Sequence, residues 1–235
     1  LNTAPQSRPK NGLLSRLPQE VLGLILPGLE RVTLQQNDVL FEPFQTIEHV
    51  YFFEGGLSSE IAVNGSSNRI EVGCIGVEGM SGLPVVLGTD RTPHRSFMQV
   101  GGPAMRINAA DLEKVMDGYP ALRKQLLRYA HVFMVQIAAT ALADGRYNVN
   151  ERLARWLLMC HDRLGDELAL THDFLALMLG VRRPSVTDAL HVLEGERLIK
   201  ADRARIQVRD RSGLEQFAGE AYGVPEAEYR RLFSS

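Results

Sequence analysis

The hydrophobic period of this chain changes at Asn108, and that change limits the folds open to it more than any other feature. From Val32 to Ile107 the apolar residues come in short or alternating runs: Val39-Leu40-Phe41, His49 to Phe53, Leu57 to Val63, Arg69 to Cys74, Phe97 to Val100 and Ala104 to Ile107. Gln36-Asn37-Asp38, Glu54-Gly55-Gly56 and Asn64-Gly65-Ser66 stand between them. Runs of this kind between turn-forming residues predict a small antiparallel sandwich or barrel of about 75 residues.

Past Asn108 the spacing is helical. Asn108 and Asp111 form an N-terminal cap signal, and after Gly118-Tyr119-Pro120 a long helix is predicted to run to about Ala143. It is apolar on two faces. Leu126, Ala130, Phe133, Ile137 and Ala141 make one, and Leu127, Met134, Ala138 and Leu142 the other. The domain behind such a helix covers one face, which leaves the other for a second copy. Leu126, Phe133, Met134, Ile137 and Ala141 are the residues expected in that seam.

The segment from Leu168 to Val208 carries the clearest motif. Thr171 is a good N-cap for a helix through Phe174, Leu175, Met178 and Leu179 that Gly180 stops. The turn Gly180-Val181-Arg182-Arg183 leads to Pro184, suited to a first helical turn, and to a second helix with Val186, Ala189, Leu190 and Leu193 inward. Two short strands, Leu198-Ile199 and Ile206-Gln207-Val208, then flank a charged turn. This is a helix-turn-helix with a wing. Arg183 at the start of the second helix can donate twice to a guanine edge. Ser185 and Thr187 suit phosphates or base edges, and Arg182, Thr171, Asp188 and His191 share the exposed surface. Arg203 and Arg205 in the wing would add sequence-independent affinity.

Charge agrees with that placement. The 235 residues sum to a net charge of −2, but Val181 to Arg211 holds eight Lys/Arg against five acids, so the basic excess lies in this segment. Two cysteines with no metal-type spacing support neither a disulfide framework nor a zinc or iron–sulfur site. No signal pattern opens the sequence, and the apolar stretches are broken short of a bilayer span, so the expectation is a cytoplasmic protein with no membrane partner. The predicted class is α+β. A flexible leader (1–12) precedes a β-roll domain (13–119), a long dimerisation helix (120–145) and a winged helix-turn-helix domain (146–235).

The whole order resembles the cyclic AMP receptor protein and FNR family of bacterial transcription regulators. The resemblance rests on Asn11-Gly12-Leu13-Leu14-Ser15-Arg16-Leu17-Pro18 before the sheet, on Leu179-Gly180-Val181-Arg182-Arg183-Pro184-Ser185-Val186-Thr187, and on Leu193-Glu194-Gly195-Glu196-Arg197-Leu198-Ile199. It implies a homodimer that reads palindromic double-stranded DNA, works with RNA polymerase, and is not an enzyme. It also implies an effector in the β-roll, which in the family can be a cyclic nucleotide. On that pattern Arg95 and Ser96 match the phosphate pair, and Gly76, Glu78 and Gly79 match the ribose segment, with Ile137 and Ala138 nearest the base.

The match is incomplete at this site. Val77 stands where the ribose carboxylate is expected, sixteen residues separate Glu78 from Arg95, and Ile137 and Ala138 offer no hydroxyl. No cofactor is identified, and the expected effector is something other than cyclic AMP. Two other functions fit parts of the sequence. One is a cyclic-nucleotide module that acts through a protein contact. The other is a metal-dependent jelly-roll enzyme, for which only His49 and His94 lie in the β region.

Overall fold

The computed structural model describes residues 8–65, 68–202 and 204–234. Helix α1 (Gln19–Ile25) leads into strands β1 (Glu30–Leu34), β2 (Val39–Phe41), β3 (His49–Phe53), β4 (Leu57–Asn64), β5 (Asn68–Ile75) and β6 (Met80–Ser81). The one-turn helix α2 (Leu83–Val86) and strands β7 (Arg95–Val100) and β8 (Gly102–Asn108) complete the roll. Two antiparallel four-stranded sheets, β1-β8-β3-β6 and β2-β7-β4-β5, enclose Phe52, Met80, Met98 and Ile107. Strands β2, β3, β4, β5, β7 and β8 fall where the apolar runs predict them, while β1 and β6 lie outside those runs; β3, β4 and β7 are buried on both faces.

Asn108 caps α3 (Ala109–Gly118), its side chain accepting from Ala110 N–H at 3.0 Å. Helix α4 (Pro120–Arg146) follows, and Tyr147-Asn148 joins it to α5 (Val149–Leu164), whose start is fixed by a capping box between Asn148 and Glu151. Strand β9 (Glu167–Leu168), α6 (His172–Leu179), α7 (Arg183–Gly195), β10 (Ile199–Asp202) and β11 (Arg205–Val208) form the winged motif, with the three strands paired in the order β10-β11-β9. Helices α8 (Arg211–Ala218) and α9 (Val224–Phe233) end the chain.

Four expectations are corrected by this arrangement. The polar leader predicts flexibility through residue 12, yet Asn11 is fully buried. Its amide donates to the carbonyls of Phe53 at 2.9 Å and Gly79 at 2.8 Å, so the chain from residue 8 onward is part of the roll, while residues 1–7 lie outside the described residues. One buried polar group that satisfies several carbonyls is a strong anchor, and a helical or strand period does not reveal it.

The seam residues divide differently on α4. Leu126 and Phe133 are buried in the chain's own core against the roll, whereas Met134 is 60% exposed and Leu127 and Leu142 are exposed beside it. The free stripe is therefore Leu127, Met134, Ala138, Ala141 and Leu142. A 3.6-residue period defines two faces without saying which one meets the domain. The same helix holds an 18-residue window of mean hydropathy 1.4 with at most two charged residues, enough by length and composition to cross a bilayer. The expectation that every apolar stretch is too short for that is therefore corrected. The buried face of α4 packs on the roll, with Gln136 accepting from Cys74 N–H at 2.7 Å.

The fourth correction concerns the split at residue 146. Helix α9 returns to the roll: the Tyr229 hydroxyl donates to the Glu78 carbonyl at 3.1 Å, Arg16 donates to the Phe233 carbonyl at 3.0 Å, and Phe233 is buried and stacked on Tyr229. The outer face of β4 and β7 also shares a core with α5 and α6, where Leu57, Ile61 and Phe97 meet Trp156, Leu175 and Met178. The two halves are thus packed together along a continuous apolar surface.

Candidate nucleic-acid interface and sensor cavity

Helix α6 is capped by Thr171, whose hydroxyl accepts from Phe174 N–H at 3.2 Å, and ends at Gly180. Gly180 has φ +61°, a left-handed conformation that costs little only without a side chain, and it turns the chain into α7. Val186, Ala189, Leu190 and Leu193 bury one side of α7. The opposite side leaves Arg182, Arg183, Asp188 and His191 exposed.

Arg183, the first residue of α7, is 64% exposed and lies 3.3 Å from the still more exposed Asp173 carboxylate, a weak surface pair that leaves its guanidinium available. Ser185 is half-buried, its N–H donating to the Arg182 carbonyl at 3.0 Å. Thr187 departs from the expected exposed role. Its hydroxyl donates to the Arg183 carbonyl at 3.3 Å and meets His172 Nδ1 at 3.1 Å, so it ties α7 to α6. Thr171 is likewise occupied as a cap. In the wing, Arg205 pairs with Glu167 of β9, an exposed contact that, like that of Arg183, leaves the guanidinium available. Arg203 lies outside the described residues.

The effector residues do not converge. Glu78 accepts from the Gly76 N–H at 3.2 and 3.1 Å and pairs with Arg163 of α5 at 2.8 Å, which commits it to the joint between the halves. Gly79 is needed for packing: a Cβ there would lie 1.8 Å from the Tyr129 hydroxyl. Arg95 and Ser96 are split. Adjacent residues of a strand point to opposite faces, and Arg95 pairs with Glu42 at 3.2 Å and stacks on outward-facing Phe97 at 5.4 Å. Ser96 points into the roll, 3.0 Å from the Ser81 hydroxyl. Ala138 is exposed, and Ile137 alone of the base-side pair lines the inner cavity.

That cavity lies between α2, the following loop to His94 and α4, has a volume of about 320 Å³, and reaches the buried carboxyl of Glu60. Ser81 donates to Glu60 Oε1 at 3.4 Å, and burial pushes the Glu60 carboxyl up to about 8. On the outer face of the same strand, Ser59 donates to Glu71 Oε2 at 2.5 Å and Trp156 Nε1 to Glu71 Oε1 at 2.6 Å; burial pushes Glu71 up to about 7. Motif and spacing do not single out either glutamate. The one signal for Glu60 is the polar insertion Ser58-Ser59-Glu60 in an otherwise apolar strand.

Both cysteines are buried thiols, and desolvation pushes Cys74 up to about 12 and Cys160 well above its ordinary value. Among the described residues no three His, Cys, Asp or Glu side chains converge on a metal-sized site.

A β-roll, a long helix with one free apolar stripe and a winged helix-turn-helix follow one another along the chain. A family model of the Crp-like helix-turn-helix domain matches residues 151–217. The global nitrogen regulator of a Nostoc species is 24% identical over 201 residues, which cover 81% of this chain and 89% of that protein. The structure of FixK2 from Bradyrhizobium japonicum superposes with a TM-score of 0.70 at 16% identity, covering 81% of this chain and 98% of that one. A CRP-family transcriptional regulator from Thermus thermophilus gives 0.68 at 18% identity, with coverage of 83% and 98%. Residues 151–217 form a Crp-like helix-turn-helix domain, and the chain as a whole shares the fold of these solved regulators.

Proposed function

We propose that the protein acts in the cytoplasm as a homodimer that binds palindromic duplex DNA and regulates transcription with RNA polymerase, under control of a small molecule held in the roll. One observation carries the reading: α7 is anchored by four buried apolar residues and presents Arg183, Asp188 and His191 outward from its first three turns. In the major groove, Arg183 is the guanine reader, Asp188 suits a cytosine amino group, and Arg182 suits a phosphate. Two such helices in a dimer would read half-sites about 34 Å apart.

The dimer seam is the stripe Leu127, Met134 and Ala141, spaced seven residues apart, with Ala138 and Leu142 beside it. That is the repeat of a coiled-coil contact, and its small alanines permit close approach. The switch would act through the docked surface of the roll on α5 and α6. A ligand in the cavity touches α4 at Phe133 and Ile137. It shifts DNA affinity only to the extent that it binds the two docking arrangements unequally.

Selection of bound duplexes from a random pool, with and without a panel of metabolites that includes cyclic nucleotides, tests this. The expected product is a palindrome. Absence of any sequence preference in every pool would overturn the reading.

A further inference from the structure

The cavity of the roll has a definite chemical character. Its wall is Leu83, Leu87, Phe133, Met134 and Ile137, and the carboxyl that it reaches, Glu60, is only 7% exposed. Among the described residues no cation compensates that carboxyl; the hydroxyls of Ser81 and Ser96 are its partners, and it holds its proton to about pH 8. The described rim adds no net positive charge. Arg91 is bound through two nitrogens to Asp90 at 3.0 and 2.8 Å, both side chains being solvent-exposed, and burial lowers the His94 pKa so that its ring stays neutral. Arg95, the residue that the family resemblance assigns to a phosphate, lies on the opposite face of β7, paired with Glu42.

An anion entering this space would be desolvated among apolar side chains with a carboxyl group in place of a cation, a large unfavourable energy. A neutral molecule meets no such cost. A protonated carboxyl offers both an O–H donor and a carbonyl acceptor to a ligand hydroxyl, carbonyl or amide. On the reading of the roll as the sensor, we propose that this cavity takes an uncharged, largely apolar small molecule with one polar end turned to Glu60, and that Glu60 excludes phosphate-bearing effectors, cyclic nucleotides among them.

Two dyes with the same ring system provide the test: N-phenyl-1-naphthylamine, which is uncharged, and 1-anilinonaphthalene-8-sulfonate, which is anionic. Both brighten on leaving water. Titrated into the full chain at pH 8.5, where Glu60 has largely given up its proton and can accept from the dye's amine N–H, the uncharged dye is expected to bind at least tenfold more tightly than the sulfonate, and cyclic AMP is expected not to displace it. Ile137→Trp, which fills the cavity from α4, should abolish binding. Leu87→Trp, at an exposed rim position, should weaken it severalfold and serves if the first variant melts early. Glu60→Gln keeps the shape and removes the ionisable group, so the preference over the sulfonate should shrink by severalfold.

Each other result overturns a distinct part. Sulfonate or cyclic AMP bound as tightly as the uncharged dye, and blocked by Ile137→Trp, would leave the sensor site standing and refute the ligand class. An unchanged preference in Glu60→Gln would remove Glu60 as the source of exclusion. Dye binding insensitive to both tryptophan variants would remove the cavity as a ligand site and the sensor reading with it.

Discussion

Trp156 on the first helix of the DNA-binding half donates its indole N–H to Glu71 on β5 of the roll at 2.6 Å, inside a surface closed to solvent on both sides. The hydrogen bond joins the two halves of the chain through a carboxyl group that is costly to ionise where it sits. Arg155 lies near enough to offset part of that cost, and Met178 of α6 covers Ser59, the second donor.

Replacing Trp156 with Phe leaves the Glu71 carboxyl short of a donor while keeping most of the packing. The expected loss is about 1–3 kcal/mol of unfolding free energy, read from urea titrations at pH 7. Adding Glu71→Gln to the same background should recover part of it, because the residue left unpaired is then an amide that cannot carry charge.

Stability should fall as pH rises. Glu60 and Glu71 have pKa values near 8 and 7 in the folded chain, against 4.5 for an ordinary glutamate. The folded state therefore keeps protons that the unfolded chain releases, so the favourable contribution is complete below about pH 4.5 and disappears as pH climbs through about 7 and 8. Thermal midpoints between pH 5.5 and 9 should decline for these groups, and the slope should be shallower in Glu60→Gln and in Glu71→Gln.

Two neighbours on α4 should behave in opposite ways. Phe133→Ala removes a ring buried in the core and is expected to cost about 3–5 kcal/mol of stability. Met134→Glu places a charge on the exposed stripe, so the thermal midpoint of the subunit should change little, while sedimentation velocity shifts from dimer to monomer. A dimer that survives Met134→Glu would place the seam elsewhere.

Arg183→Ala should leave the fold intact, because the side-chain partner of Arg183 among the described residues is the exposed Asp173. Affinity for the selected palindrome should drop by about 1–3 kcal/mol for each half-site, the worth of one bidentate arginine–guanine pair, with little change on random duplex. Fluorescence anisotropy with both duplexes at one salt concentration makes the comparison.

The tail helix should depend on one residue. Phe233→Ala removes the buried ring that stacks on Tyr229 at 4.8 Å, so α9 should release from α4 and proteolysis should appear after Ala218.

The sequence by itself determined most of the elements. Alternation between Val32 and Ile107 specified strands, and Asn108, Pro120, Thr171, Gly180 and Pro184 set helix ends through local cap and turn chemistry, so the winged motif and Arg183 at its leading edge were legible in the order of residues. These are effects of neighbours within a few positions, which local order encodes directly. Only the tertiary structure decided which face of α4 is free, that Glu78 serves the joint with Arg163, and that α9 returns to the roll. Each of these depends on residues tens to hundreds of positions apart. Glu60 makes the difference plain: in the sequence it is one acid in a strand, and its character comes from a cavity whose walls arrive from α2, the loop to His94 and α4, with no cation among the described groups that offset its burial.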